Sequence, residues 1–292
     1  MENARPRQGR RRSRRRSRSF SDGSKRGVAI EPRIHRAAVI DSEAALDSTV
    51  RVGAGAVICA NVSIGPDTVI GPQAVIEGPT TIGARNHIFQ FASIGAPPQD
   101  LKYRGEPSRL EIGDDNQIRE FVTIHRGTLG GGMVTRIGNH TLLMNYVHVA
   151  HDCMVGDHSI ISNSTELGGH CVLEEWVVAA AMSGIHQFSR IGAHAMIAAG
   201  SKIAQDVPPY SMVAGDRARL VGPNTIGLER RGFSAETIGA LKRAFRTLFY
   251  SKLLRADAVK QVLEQDGAVA EVRRLLDFIS RSERGVVGRD AE

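Results

Sequence analysis

An aliphatic residue recurs at every sixth position over most of this chain. From Ile34 the series runs Ile40, Leu46, Val52, Ile58, Ile64, Ile70, Ile76, Ile82, Ile88 and Ile94. It resumes at Ile112, Ile118 and Ile124, breaks again, and continues from Ile137 to Ile203, weakened only at Ala179. A helix repeats at 3.6 residues and a simple strand at 2, so neither produces this series. A hexapeptide period is the signature of a parallel β-helix, in which each repeat forms one side of a triangular coil. Three repeats close a rung, and each aliphatic residue stacks on the one a rung later, about 4.8 Å away. Burying each such side chain contributes roughly 1.5–3 kcal/mol. One rung cannot bury the column, but a stack can. Glycine often follows the aliphatic position, as in Ile64-Gly65, Ile70-Gly71 and Val155-Gly156. The expectation is that these glycines supply the backbone geometry of the corners.

The two interruptions mark loops. Gly95 to Glu111 holds Pro97-Pro98 and Pro107 and reads as a loop replacing part of a rung. The stretch between Ile124 and Ile137, with Gly130-Gly131-Gly132, reads as one repeat plus a loop extruded at a corner. Loops on a rigid scaffold are where function concentrates. After Pro208-Pro209 the pattern becomes helical. Ser234 is an N-cap candidate with Glu236 in the first turn, and Ile238, Leu241, Phe245, Leu248 and Phe249 follow at helical spacing. Two further stretches follow, Val259 to Leu263 and Val272 to Ile279. The chain thus divides into a tail (1–33), a β-helix (34–215) and a C-terminal domain of two or three helices (216–292).

Charge is concentrated at one end. Residues 1–27 carry ten Arg and one Lys against Glu2 and Asp22, a net +9, whereas the whole chain is +7; the remainder is −2. The tail alternates Arg and Ser without apolar content and is expected to be disordered. It reads as an anion-binding extension, an organelle transit peptide or a plain unstructured leader. The near-neutral remainder argues against nucleic-acid binding by the folded domain. No apolar run has the length of a transmembrane helix, and there is no secretory signal. Cys59, Cys153 and Cys171 are odd in number and lack metal-ligand spacing, which favours free thiols in a reducing compartment.

Histidine placement points to chemistry. Ile124, Val149, Leu167 and Ile185 fall on one side of the coil, and His125, His148, His151, His170 and His186 all lie within three positions of them. Five imidazoles on one edge, over about four rungs, are more than a solvated face calls for. His151 is followed by Asp152. A neutral imidazole is the natural general base near pH 7, and a carboxylate beside it can fix its tautomer. Gly169 comes one rung after His151, where a bare backbone N–H can meet a developing oxyanion. Base and donor on adjacent rungs suit acyl transfer to a hydroxyl.

Longer motifs carry a resemblance. These are Gln99-Asp100-Leu101-Lys102-Tyr103, Thr123-Ile124-His125-Arg126-Gly127-Thr128, His148-Val149-Ala150-His151-Asp152-Cys153, Ile185-His186-Gln187-Phe188, Gln205-Asp206-Val207-Pro208-Pro209-Tyr210 and Arg230-Arg231-Gly232-Phe233. Over about residues 34 to 285 the chain resembles the UDP-N-acetylglucosamine O-acyltransferases of lipid A biosynthesis. The resemblance implies a cytoplasmic homotrimer of left-handed parallel β-helices with sites between subunits. It implies transfer of a 3-hydroxyacyl group from acyl carrier protein to the sugar 3-hydroxyl, with no cofactor beyond the carrier's phosphopantetheine and no metal. By the matching motifs, His151 is the base, Asp152 orients it and Gly169 stabilises the oxyanion. His125, His148, His170, His186 and Gln187 line the acceptor and acyl pocket. Asp100 and Lys102 hold polar groups of the sugar nucleotide, and Asn224 and Arg230 reach the nucleotide and its phosphates. Ala199 stands where a small residue helps to set acyl length. Ile226 departs from the family, which commonly has Glu there. Lys242, Arg243 and Arg246 are candidates to meet the acidic carrier.

Three other functions remain open from the residues alone, one of them a non-catalytic β-helix used as a scaffold. A related acyltransferase can use an amino-sugar acceptor, since the same base serves an amine. A zinc hydratase on the same scaffold would use three histidines and an open position, although His148-x-x-His151 does not resemble that family's spacing.

Overall fold

The computed structural model describes residues 33–289; the tail assigned to 1–33 lies outside them except for its last residue. Most strands are only two residues long and stack into three parallel walls. The first wall runs from Val39–Ile40 to Lys202–Ile203, the second from Ala45–Leu46 to Arg190–Ile191, and the third from Arg51–Val52 to Arg219–Pro223. The coil is a left-handed β-helix. In the regular rungs, equivalent core residues pair directly, as Ile40 with Ile58 and Val149 with Leu167. The aliphatic series points inward, and Ile58, Ile76, Ile94, Ile124, Val149 and Leu167 are all buried.

The corners correct the expectation about glycine. Where a corner turns through left-handed backbone, that residue falls three positions after the core residue, and apart from Gly55 (φ 68°) and Gly200 (φ 69°) it carries a side chain, as in Asn61 (φ 58°), Asp152 (φ 61°), His170 (φ 62°) and Trp176 (φ 62°). Such a conformation costs roughly 1–2 kcal/mol for an L-residue. Rung-to-rung hydrogen bonds offset it: the His170 N–H donates to His151 O at 3.0 Å and the Trp176 N–H to Asp157 O at 2.8 Å. The glycines directly after the core positions answer a different constraint. A Cβ on Gly156 would lie 2.6 Å from the carbonyl carbon of Glu174 and 2.6 Å from the nitrogen of Glu175. Close approach of the next rung, rather than positive φ, excludes a side chain there.

The first interruption also reads differently in three dimensions. Ile112 pairs with Ile82 and Ile118 with Ile88. The wall sequence is therefore intact, and the loop is added between Ser93–Ala96 and Arg109–Ile112 rather than replacing repeats. The second loop leaves between Thr123–His125 and Val134–Ile137, an extrusion at a corner as its length implies. Both loops emerge from the same corner, between the first and second walls.

The solenoid ends in an antiparallel hairpin, Ser211–Ala214 with Arg219–Pro223, which spans the 215/216 boundary. Four helices follow, one more than the periodicity suggests: α1 (Thr225–Arg230), α2 (Ala235–Tyr250), α3 (Arg255–Asp266) and α4 (Ala270–Ser280). The short α1 lacks an apolar period long enough to detect. Ser234 caps α2 by accepting from the Thr237 N–H at 3.1 Å. Leu228, Leu241, Phe245, Val272 and Leu275 join the solenoid residues in one continuous core. Arg274 of α4 grips the corner carboxylates Glu174 (2.7 Å) and Glu175 (2.5 Å). The chain then folds back: the Asp206 N–H donates to Gly285 O, and the Val287 N–H to Asp206 O. This pairing covers part of the last rung's open strand edge, a site of unwanted association in other proteins.

Gly156→Ala should lower stability by roughly 1–3 kcal/mol, the range for forcing extra atoms into a packed interior. Thermal unfolding of this variant beside Gly130→Ala, where the surroundings are open, tests the point; equal melting temperatures would refute it.

Candidate active site

The corner that emits both loops carries the histidines. Asp152 is the anchor, its side chain fully buried. One carboxylate oxygen accepts the Thr128 backbone N–H at 2.8 Å. The other accepts the Thr128 hydroxyl at 2.6 Å and meets His151 Nδ1 at 2.8 Å. The Asp152 N–H donates to the Thr135 hydroxyl at 2.8 Å. A carboxylate oxygen accepts hydrogen bonds, so this contact is made with the proton on Nδ1. That leaves the Nε2 lone pair of His151 free, as a base requires. Gly131 sits directly over the Asp152 carboxylate, so any side chain there would collide with it.

Gly169 lies against the other side of the imidazole: a Cβ built on it would be 2.6 Å from Cε1 and 2.8 Å from Nε2 of His151. The N–H groups of Gly168 and His170 bond to Ile185 O and His151 O; that of Gly169 makes no backbone hydrogen bond among the described residues. It is an N–H donor beside the His151 imidazole.

The other imidazoles surround this pair. The His170 ring meets the His151 ring edge-on at 5.1 Å and stacks on Phe188 at 4.3 Å, with Nε2 3.7 Å from Asp152. His125 and His148 also meet edge-on at 5.1 Å, and the Thr123 hydroxyl lies 2.7 Å from His148 Nδ1. Burial pushes the His125 pKa down to about 4, helped by its two histidine neighbours. Burial likewise lowers His148 and, against the pull of Asp152, His170. Burial thus favours the neutral form of His125, His148 and His170, which can donate and accept hydrogen bonds.

Two recesses lie along this edge, one reaching Gly169 and the other reaching His170. One, of about 740 Å³, lies beneath the loops and is lined by Asp100, Lys102, Tyr103, Thr128 and His170. The other, also about 740 Å³, runs along the first wall from His148 past Gly169, His186 and Gln187 to Lys202 and Arg217. So Asp100, Lys102, His125, His148, His151, Asp152, Gly169, His170, His186 and Gln187 come together on one edge.

Three proposed site residues lie elsewhere. Ala199 is exposed at the corner between the third and first walls, after the strand Met196–Ile197. Asn224 belongs to the corner between the second and third walls: its amide donates to His194 O at 3.0 Å and caps α1 by accepting from the Gly227 N–H at 3.2 Å. Arg230, in the last turn of α1, is exposed. Within one chain these do not meet His151. Arg243 is not a free surface cation either, because Asp266 holds it at 2.5 and 3.1 Å. Sequence reasoning passed over Thr128 and Thr135, which fix Asp152. Threonine is common, and only the folded loop shows what these two hold.

His151, Asp152 and His170 place ligand-type atoms within 4.8 Å of one another. Their closest contact, His151 to Asp152, has the length and directionality of a hydrogen bond that already uses the Nδ1 proton. A metal there would have to displace it.

Comparison with known proteins identifies the family. Residues 206–287 match the family model for the second domain of UDP-N-acetylglucosamine O-acyltransferase, and residues 135–169 match that of bacterial transferase hexapeptide repeats. The chain is 48% identical over 258 residues to the acyl-[acyl-carrier-protein]–UDP-N-acetylglucosamine O-acyltransferase of Herminiimonas arsenicoxydans, covering 87% of this chain and 98% of the relative. It is 49% identical over 253 residues to the protein of the same name from Myxococcus xanthus, with the same coverage of 87% and 98%. The crystal structure of UDP-N-acetylglucosamine O-acyltransferase from Moraxella catarrhalis matches with a TM-score of 0.84 at 42% identity, over 88% of this chain and all of that one.

The lowered histidines set a pH dependence. His194, stacked against Tyr210 at 5.7 Å, is pushed down to about 4, mainly by burial, as His125 is. An unfolded histidine takes its proton near pH 6.5, whereas these refuse it until about 4. The stability they contribute is complete above 6.5 and is lost as pH falls toward 4. Melting temperatures from pH 7.5 to 4.5 should fall less steeply for His194→Phe than for the parent; equal slopes would show that other groups set the dependence.

Proposed function

The chain belongs to the UDP-N-acetylglucosamine O-acyltransferase family and is itself an O-acyltransferase of lipid A biosynthesis, and from that premise we propose the following course for its reaction. The acyl donor is a 3-hydroxyacyl thioester on the phosphopantetheine of acyl carrier protein, and the acceptor is the 3-hydroxyl of UDP-N-acetylglucosamine. No protein-bound cofactor or metal takes part. His151 Nε2 removes the hydroxyl proton as the oxygen attacks the thioester carbonyl. The Gly169 N–H takes the oxyanion. When the C–S bond breaks, the imidazolium returns its proton to the departing thiolate, so that ester and free thiol are the products. Asp152 holds the ring in the required tautomer and stabilises the imidazolium. The observation that carries this is the 2.8 Å contact of His151 Nδ1 with buried Asp152, with Gly169 packed beside Nε2.

The neighbouring residues take supporting roles. Asp100, Lys102 and His170 face the recess beneath the loops and hold the sugar nucleotide. His148, His186 and Gln187 line the wall groove, where the acyl thioester lies, with His125 behind His148. Asn224 and Arg230 take the nucleotide and its phosphates, Asn224 with the N–H and lone pair that its internal bonds leave over.

Ala199, Asn224 and Arg230 lie on edges other than that of His151, so the site is completed between subunits of a homotrimer. Lys242 and Arg246 face the acidic carrier, with binding that weakens as salt rises. Soluble substrates support a cytoplasmic reaction. No helix among the described residues is long and apolar enough to cross a membrane.

His151→Ala should lower turnover by about two to four orders of magnitude, the usual share of general base catalysis. Mass spectrometry of products from carrier thioesters and UDP-sugars reads both rate and identity. Turnover near that of the parent would remove His151 as the base, and an amide product would identify an amine acceptor. Ala199→Gly should shift preference toward longer acyl chains, since a packed pocket discriminates by about 1–3 kcal/mol per methylene; an unchanged donor profile would remove Ala199 from the acyl pocket.

A further inference from the structure

The reaction scheme gives Thr128 no part, yet it is the residue most tightly joined to Asp152. Its hydroxyl and N–H engage both carboxylate oxygens, at 2.6 and 2.8 Å. Thr128 is buried and opens the second inserted loop, just before the short 3₁₀ turn Leu129–Gly131. That turn returns on Thr128, since the N–H groups of Gly131 and Met133 both donate to its carbonyl. The loop therefore holds the threonine firmly, and the Asp152 carboxylate occupies the place into which a side chain at position 131 would project.

The oxygen that accepts the Thr128 hydroxyl is the one that faces His151 Nδ1. His170 Nε2 waits 3.7 Å from the same oxygen. Two imidazoles thus flank one carboxylate oxygen, and only one of them is at hydrogen-bonding distance. The hydroxyl fills an acceptor site on that oxygen and fixes the plane of the carboxylate, which selects His151 over His170.

We propose that Thr128 is a positioning residue for the reaction, acting through Asp152: its hydroxyl orients the carboxylate toward His151 and moderates the negative charge that the imidazole meets. The inference rests on His151 being the base, and it adds a residue that the dyad needs in order to hold its geometry.

The test compares Thr128→Val, Thr128→Ser and His151→Ala with the parent trimer, by steady-state kinetics against pH and by thermal unfolding. Thr128→Val keeps the backbone N–H bond and loses only the hydroxyl. Its kcat should fall about 10- to 100-fold, the usual effect of removing an outer orienting partner, with KM changed much less. The acidic limb of its kcat/KM profile should move to higher pH, because an oxygen with one donor fewer holds the imidazolium more strongly. Thr128→Ser restores the hydroxyl and should recover most of the rate and the parent limb. Unaltered kcat and limb in Thr128→Val would overturn the proposal. So would a slow Thr128→Val whose limb stays in place, or whose rate the serine variant fails to restore, since either outcome describes a merely structural contact. Full turnover in His151→Ala would instead remove the assignment of the base, independently of what the Thr128 variants do.

Discussion

Each rung of this protein rests on the next through a continuous ladder of peptide hydrogen bonds, and everything else is arranged so that the ladder need not bend. The two-residue strands have little stability alone. They persist because every wall repeats them in register, with an aliphatic side chain beneath each pair. Close stacking is also why glycines such as Gly156 recur: the next rung occupies the space a methyl group would need. Corner residues accept a left-handed backbone for the same reason, since their N–H groups find carbonyls on the preceding rung.

A scaffold this regular can hold an imidazole and an unpaired peptide N–H at fixed separation. His151 and Gly169 are vertical neighbours because one rung separates them, and the only irregular backbone nearby is the pair of loops at the same corner. Those loops supply what the flat corner lacks: one side of a recess from Asp100 to Glu106, and the threonine that anchors Asp152. Among the described residues, the other two edges carry stacked rings instead. Between the second and third walls, His140, His158, Trp176, His194 and Tyr210 form a stack of rings. Between the third and first, Phe91, Phe121 and Tyr146 do the same.

The fold was legible in the sequence because its rule is arithmetic: the spacing of isoleucines assigns every residue to a wall, and so located the histidine edge and the approach of Gly169 to His151. Contacts that follow from loop conformation were not legible. Nothing in the order of residues says that Thr128 turns back onto Asp152, or that Arg243 is taken by Asp266. The role of glycine was misassigned because one composition answers two constraints, corner geometry and close approach, and only coordinates separate them. The first loop was misjudged because its length is a whole rung's worth, so an insertion and a replacement look alike in one dimension. Ala199, eight repeats after His151 and so not a whole number of rungs away, falls on another edge by the same count, whereas Asn224 lies beyond the repeat series and only the folded hairpin and α1 place it.

The same arithmetic sets which changes in chain length this architecture tolerates. Residues lost or gained in the loop between Ala96 and Arg109 leave every wall downstream in phase. A single deletion within a regular rung would rotate all later repeats by one position, turning core isoleucines outward and glycines into the column. Insertions and deletions in such a chain should therefore survive at the one corner that already carries loops, and lengthening of the regular coil should come in whole multiples of a rung.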